Sequence, residues 1–139
     1  MKDNTWTIKE LYPGAHIRVK TNSYYHHGIY IGNNEVVQFG LPYDLYKSFD
    51  EIEVLRSPIE DFSKDLLSIE VYSYTKKELK QKFPDDMIVK NALSHVGEKG
   101  YNILTNNCEH LANLCIFGTK KSNQIDNIYK DVEAMLNKK

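Results

Sequence analysis

The rhythm of hydrophobic and polar positions changes near residue 75. Up to that point the pattern is mostly alternating. Residues 1–13 read as a lead-in closed by Pro13-Gly14. Ala15 to Lys20 alternate and predict a short strand. Tyr24 to Ile31, rich in aromatic and β-branched residues, predict a longer one. Gly32-Asn33-Asn34 is a turn signal, and Glu35 to Phe39 predict a third strand, so this stretch should form an antiparallel meander. Residues 40–65 carry Gly40, Pro42 and Pro58 and predict an irregular excursion with one short strand around Ile52 to Leu55. Leu67 to Tyr74 alternate again as a further strand.

Beyond residue 75 the period becomes helical. Thr75 can cap a helix over Lys76 to Lys82. Pro84 sits at the first turn of another, with Met87, Ile88, Ala92, Leu93 and Val96 on one stripe and Gly97 at its end. Residues 101–105 are short and extended. A third helix is predicted from about Asn107 to Phe117, stopped by Gly118, and an amphipathic helix from roughly Asp126 to Asn137 closes the chain. Strands followed by flanking helices define an α+β fold. With no internal repeat and no linker, residues 1–139 are expected to form one domain.

Composition narrows the function classes. The formal net charge is −1 and the pI about 6.5, which gives no electrostatic footprint for nucleic acid. Lys76, Lys77, Lys80 and Lys82 read as a solvated helix face. The opening residues MKDNTWTIKE lack the apolar run of a secretory signal, and no stretch approaches the ~18–20 apolar residues of a spanning helix. A cytoplasmic protein without a transmembrane segment is the expectation. Cys108 and Cys115 lie about 10 Å apart along one predicted helix, too far for a disulfide, so each is a separate thiol.

The chemistry centres on Asn106-Asn107-Cys108-Glu109-His110, which opens an apolar helix. Asn106 with Glu109 forms a capping-box pattern and places Cys108 in the first turn. Unpaired amides and the positive end of the helix dipole there favour a thiolate, and the same amides can hold an oxyanion. Cys115, followed by Ile116 and Phe117, reads as a packing residue. A nucleophilic cysteine needs a base. In Tyr24 to Ile31, alternation puts His27, Ile29 and Ile31 on one face and Tyr24, His26, Gly28 and Tyr30 on the other. The Ile face is the natural core face. The opposite face, cleared by Gly28, suits the approach of a helix N-terminus, which favours His26 over His27 without deciding between them. On the next strand Gln38 falls opposite the His26 region, and its amide oxygen can orient the imidazole. Tyr24 and Asn107 are the candidates for substrate or oxyanion contacts.

Three segments together, His26-His27-Gly28-Ile29-Tyr30-Ile31-Gly32, Val36-Val37-Gln38 and Tyr101 to His110, resemble the lecithin:retinol acyltransferase-like family. This is a branch of the permuted papain-like superfamily that also holds NlpC-type peptidases. The resemblance extends over most of residues 12–124, including Ser122 and Gln124. It implies a circularly permuted papain-like fold, with an antiparallel sheet packed on helices and the nucleophile at a helix N-terminus. It also implies that His26 is the base and Cys108 the nucleophile of thioester acyl transfer on lipid esters. The implied partners are a lipid or small-molecule ester and a peripheral membrane contact; no cofactor and no metal are implied.

Two departures stand out. The family usually has a second histidine where this chain has Gln38, and its first strand usually opens Gly-Asp where this chain reads Gly14-Ala15-His16. The C-terminal membrane anchor of several animal members is not expected here. Leu41, Tyr43, Leu45, Tyr46 and Phe49 are the candidate lipid-contact patch, or else part of the core. Competing readings are a Cys–His peptidase or amidase, and a non-catalytic binding module that keeps the fold.

Overall fold

The computed structural model describes residues 5–22, 24–42, 48–102 and 106–119. In chain order the strands are β1 (Trp6–Thr7), β2 (His16–Lys20), β3 (Tyr25–Gly32), β4 (Glu35–Phe39), β5 (Val54–Pro58) and β6 (Glu70–Tyr72). The helices are α1 (Lys76–Gln81), α2 (Asp85–Ser94) and α3 (Cys108–Phe117), with short 3₁₀ turns between β4 and β6. The fold is α+β. Its strands form one antiparallel sheet in the order β1-β6-β2-β3-β4-β5, so β3 lies inside the sheet with β2 and β4 on either side. The expected closing helix over 126–137, Ser122, Gln124, residues 103–105 and the apolar positions Tyr43, Leu45 and Tyr46 lie outside the described residues.

Local chemistry explains the central hairpin. Asn33 (φ 53°) and Asn34 (φ 61°) are both left-handed, the backbone of a tight primed turn, whose twist matches its strands. Thr75 caps α1 in a full capping box with Glu78. Gly118 closes α3 in the left-handed conformation at φ 78°.

Both faces of the sheet are buried. On one, Ile29, Val37 and Phe39 pack against Ile88 and Ala92 of α2 and Cys108, Leu111, Ala112 and Cys115 of α3. On the other, Ile17, Val19, Tyr30 and Val36 pack under Ile59, Phe62 and Ile69, which the excursion after β5 folds back over the sheet. Gly28 belongs to this second face. A Cβ there would lie 2.9 Å from the Phe62 ring and 3.0 Å from Val36, so its missing side chain admits Phe62 rather than a helix. The expectation that the cysteine helix approaches the Gly28 face is therefore corrected: α3 lies on the Ile29 face.

Candidate active site

His26 lies on the Phe62 face of β3. Its register partner is Val19 on one side. On the other side, the partner of Gly28, two residues on, is Gln38. That diagonal brings Gln38 Oε1 within 2.9 Å of His26 Nε2, and the ring donates to it. Gln38 in turn donates from Nε2 to Ser57 Oγ at 2.7 Å. Ser57 is paired with Val36, so it shares the face and forms the other diagonal. His26, Gln38 and Ser57 thus run as one buried chain of hydrogen bonds across three strands. Phe62 covers it, with its ring centroid 5.3 Å from that of His26. With Nε2 engaged, the ring nitrogen left over is Nδ1, the one nearer the backbone.

Cys108 is the first residue of α3. The cap is Asn107, not Asn106. Its side-chain oxygen accepts from Glu109 N and His110 N, and its own amide donates to His110 Nδ1 at 3.0 Å. The capping box therefore pairs Asn107 with His110, because a histidine three residues on accepts as a glutamate would. The Cys108 thiol reaches the backbone of β3, donating to Tyr25 O at 4.0 Å and accepting from the His27 amide. Those two groups flank His26. Tyr24 and Tyr30 bond their carbonyls toward β2, so those of Tyr25 and His27 face the opposite side, where β4 pairs only from Gln38 to its N-terminus. The sulfur fills the position that the departed strand leaves open.

Electrostatics differ from the sequence expectation. Burial pushes the Cys108 thiol up to about 11. The amides of His27, Glu109 and Cys108 itself act against that rise, and the Glu109 carboxylate adds to it. Desolvation outweighs the helix terminus, so the resting group is a thiol rather than a thiolate. Burial likewise lowers His26 to about 4, with the Gln38 bond opposing, so the resting imidazole is neutral. Cys115, wholly buried in the helix-side core, is pushed up to about 12 by burial, with Glu98 adding to it.

The remaining predicted residues separate clearly. Tyr24 is partly exposed, edge-on to His26 at 6.3 Å between centroids. Tyr101 lies within electrostatic reach of both Cys108 and Tyr24 and packs edge-on against Phe39 and tilted against exposed Phe49, at 5.1 and 5.6 Å between centroids. Asn107 is buried, its oxygen engaged in the cap. His27 occupies the helix-side face, where its Nδ1 meets His16 Nε2 at 2.9 Å and the rings of both lie edge-on to Trp6. Arg18, ion-paired to Glu70, is sandwiched between Trp6 and Tyr25 beside them. Sequence reasoning missed the His16–His27 pair and Ser57; each is set by cross-strand register. Among the described residues no group of three His, Cys, Asp or Glu side chains is arranged to hold a metal ion.

A family model described as "Lecithin retinol acyltransferase" matches residues 9–121 of the chain. The chain is 23% identical over 157 aligned residues to lecithin retinol acyltransferase of Mus musculus, covering 97% of this chain and 67% of that protein. It is 27% identical over 128 residues to phospholipase A and acyltransferase 1 of Homo sapiens, covering 87% and 76% respectively.

Proposed function

The chain belongs to the lecithin retinol acyltransferase family, and on that premise we propose that it is a cysteine-dependent acyl-transfer enzyme acting on lipid esters. The observation that carries the reading is the disposition of His26. Its Nε2 is tied to Gln38, which leaves Nδ1 over, and the Cys108 thiol is seated against the backbone on either side of the same residue; the meeting of that nitrogen with the sulfur is part of the proposal. In this reading Cys108, His26 and Gln38 are nucleophile, base and orienting residue of a permuted papain-like site, within one domain spanning residues 1–139.

The buried pair starts neutral, so attack and proton transfer go together. The Cys108 sulfur bonds to the ester carbonyl carbon while His26 Nδ1 takes the thiol proton. The carbonyl oxygen gains the charge, and the first amides of α3 stabilise it. Collapse breaks the ester C–O bond, and the proton on His26 passes to the leaving alcohol. An amine, an alcohol or water, deprotonated by the same nitrogen, then takes the acyl group from sulfur. Asn107 supports this by fixing the first turn of α3. Tyr101, which feels the charges of Cys108 and Tyr24 and packs on Phe49, is an aromatic surface that suits an acyl chain. No described helix is long and apolar enough to cross a membrane, so lipid would be met at a surface.

The test is to incubate the protein with a panel of phospholipid esters and record intact mass. The expected result is an acyl adduct located on Cys108, absent in Cys108→Ala. Acylation of Cys108 by peptides or amides, with release of the amine, in preference to lipid esters would move the site to the peptidase class. Ester hydrolysis by Cys108→Ala at the wild-type rate would leave a binding module.

A further inference from the structure

Ser57 stands at the end of the chain that begins at His26, and nothing in the chemistry above uses it. A glutamine side chain has an oxygen at one end and an NH₂ at the other, and a half-turn exchanges them. In the orientation observed, Oε1 faces His26 Nε2 and Nε2 of the amide faces Ser57 Oγ, at 2.9 and 2.7 Å. An oxygen facing the ring requires the proton on His26 Nε2 and leaves the lone pair on Nδ1. The reversed amide would donate to the ring nitrogen and force the proton onto Nδ1. The tautomer of His26 is thus decided by which way Gln38 points.

Gln38 cannot choose with the help of water. It is fully buried, Ser57 is 8% exposed, and Phe62 closes over Gly28 beside them. Its amide hydrogens need an acceptor inside the protein. The Ser57 hydroxyl, set two residues along β5 from Leu55, the register partner of Gln38, is that acceptor. A hydroxyl can donate or accept, and we propose that Ser57 is a positioning residue: by accepting here it holds the Gln38 amide oxygen toward His26 and the imidazole in the Nε2–H tautomer. Its catalytic consequence rests on the reading of His26 as the base; the tautomer itself does not.

Without the hydroxyl, the NH₂ end of Gln38 meets a methyl group, and the acceptor remaining within its reach is the imidazole. Turning the amide exchanges an unpaired NH₂ for an unpaired carbonyl oxygen, the less costly of the two when buried, and shifts the equilibrium by about fivefold or more. Ser57→Ala should therefore turn the amide and move the His26 proton to Nδ1. The experiment is a long-range ¹H–¹⁵N spectrum of the ring nitrogens of His26. Wild type and Ser57→Thr should show a protonated Nε2. Ser57→Ala, and Ser57→Cys, which keeps the volume with a much weaker acceptor, should show a protonated Nδ1.

In a Gln38→Glu background the carboxylate only accepts, so Ser57→Ala should leave Nε2 protonated there. In the wild-type background the rate of Cys108 acylation should fall about five- to 100-fold with Ser57→Ala and stay near wild type with Ser57→Thr. A protonated Nε2 in both Ser57→Ala and Ser57→Cys would overturn the proposal. A tautomer shift in a protein whose Cys108 is never acylated would support this role for Ser57 while removing the acyl-transfer reading.

Discussion

His26 and His27 are neighbours on one strand, equally buried at 2% exposure, and they end in opposite circumstances. His26 points to the Phe62 face and is held by a neutral amide through Nε2, which leaves Nδ1 over. His27 points to the helix face and gives Nδ1 to His16 inside a box of Trp6 and Arg18. Residue type and burial are the same, so neither makes a base. What differs is which nitrogen is already engaged and what the other one faces.

The sharpest way to break this comparison is to remove each ring in turn. General base catalysis is worth about 10²–10⁴ in rate, and His26→Ala should lose that much in Cys108 acylation by an activated ester. His27→Phe should stay near the wild-type rate but melt at lower temperature, since His16 is left with an unpaired buried nitrogen at a cost of about 1–3 kcal/mol. The opposite ranking of rates would make His27 the base.

A smaller effect is expected at Gln38. The loss of one neutral orienting bond costs about 0.5–1.5 kcal/mol, or two- to tenfold in rate. Gln38→Ala should show that fall, and Gln38→His, the residue usual in the family, should keep or raise activity. A Gln38→Ala rate equal to wild type would leave a Cys–His dyad with Gln38 as a bystander.

The smallest effect at neutral pH is on stability. Burial lowers His26 to about 4, His16 to about 3 and His27 well below 6.5, each chiefly through desolvation. The unfolded chain protonates its histidines near 6.5, so between there and about 4 it binds more protons than the folded chain. Stability is complete above pH 6.5 and declines as pH falls through that window. The urea midpoint should drop between pH 7 and pH 5, while the rate per folded molecule stays level because His26 remains neutral. His27→Phe should flatten the drop. An unchanged slope would mean that acid acts elsewhere than on the His16–His27 pair.

Sequence made the local features legible and the long-range ones not. Strands β2 to β4, the Asn33-Asn34 turn and α3 follow from alternation, turn chemistry and a Gly118 stop, all within a few residues of one another. Strand β1 reads as a lead-in in the sequence because its two residues gain their strand character from Tyr72 and Val71, far along the chain. Alternation put His26 and His27 on opposite faces, as found, but could not say what lay on either side, since an irregular excursion supplies Phe62 and Ile59 to one face. The cap lies one residue beyond the expected Asn106 because Asn106 and Asn107 are the same residue type, and the choice depends on His110 reaching back. Gln38 was visible through hairpin register. Ser57 was not, because it lies a second register away and the predicted strand stopped at Leu55. The thiol's raised pKa is hidden from the sequence for a related reason: the helix terminus is local, whereas the desolvation that outweighs it comes from the whole fold.

The seat of Cys108 in the ladder of β3 carries a spectroscopic consequence. The amide proton of His27 is bonded to sulfur rather than to a carbonyl of β4. Sulfur is a soft, weak acceptor as a thiol and a strong one as a thiolate. Deprotonation of Cys108 would draw that proton downfield and slow its exchange with solvent deuterium. An acyl group on sulfur would withdraw electron density and release it, moving the resonance upfield and hastening exchange. One backbone signal, two bonds from the ring-bearing residue, therefore reports in real time whether the cysteine is resting, ionised or loaded.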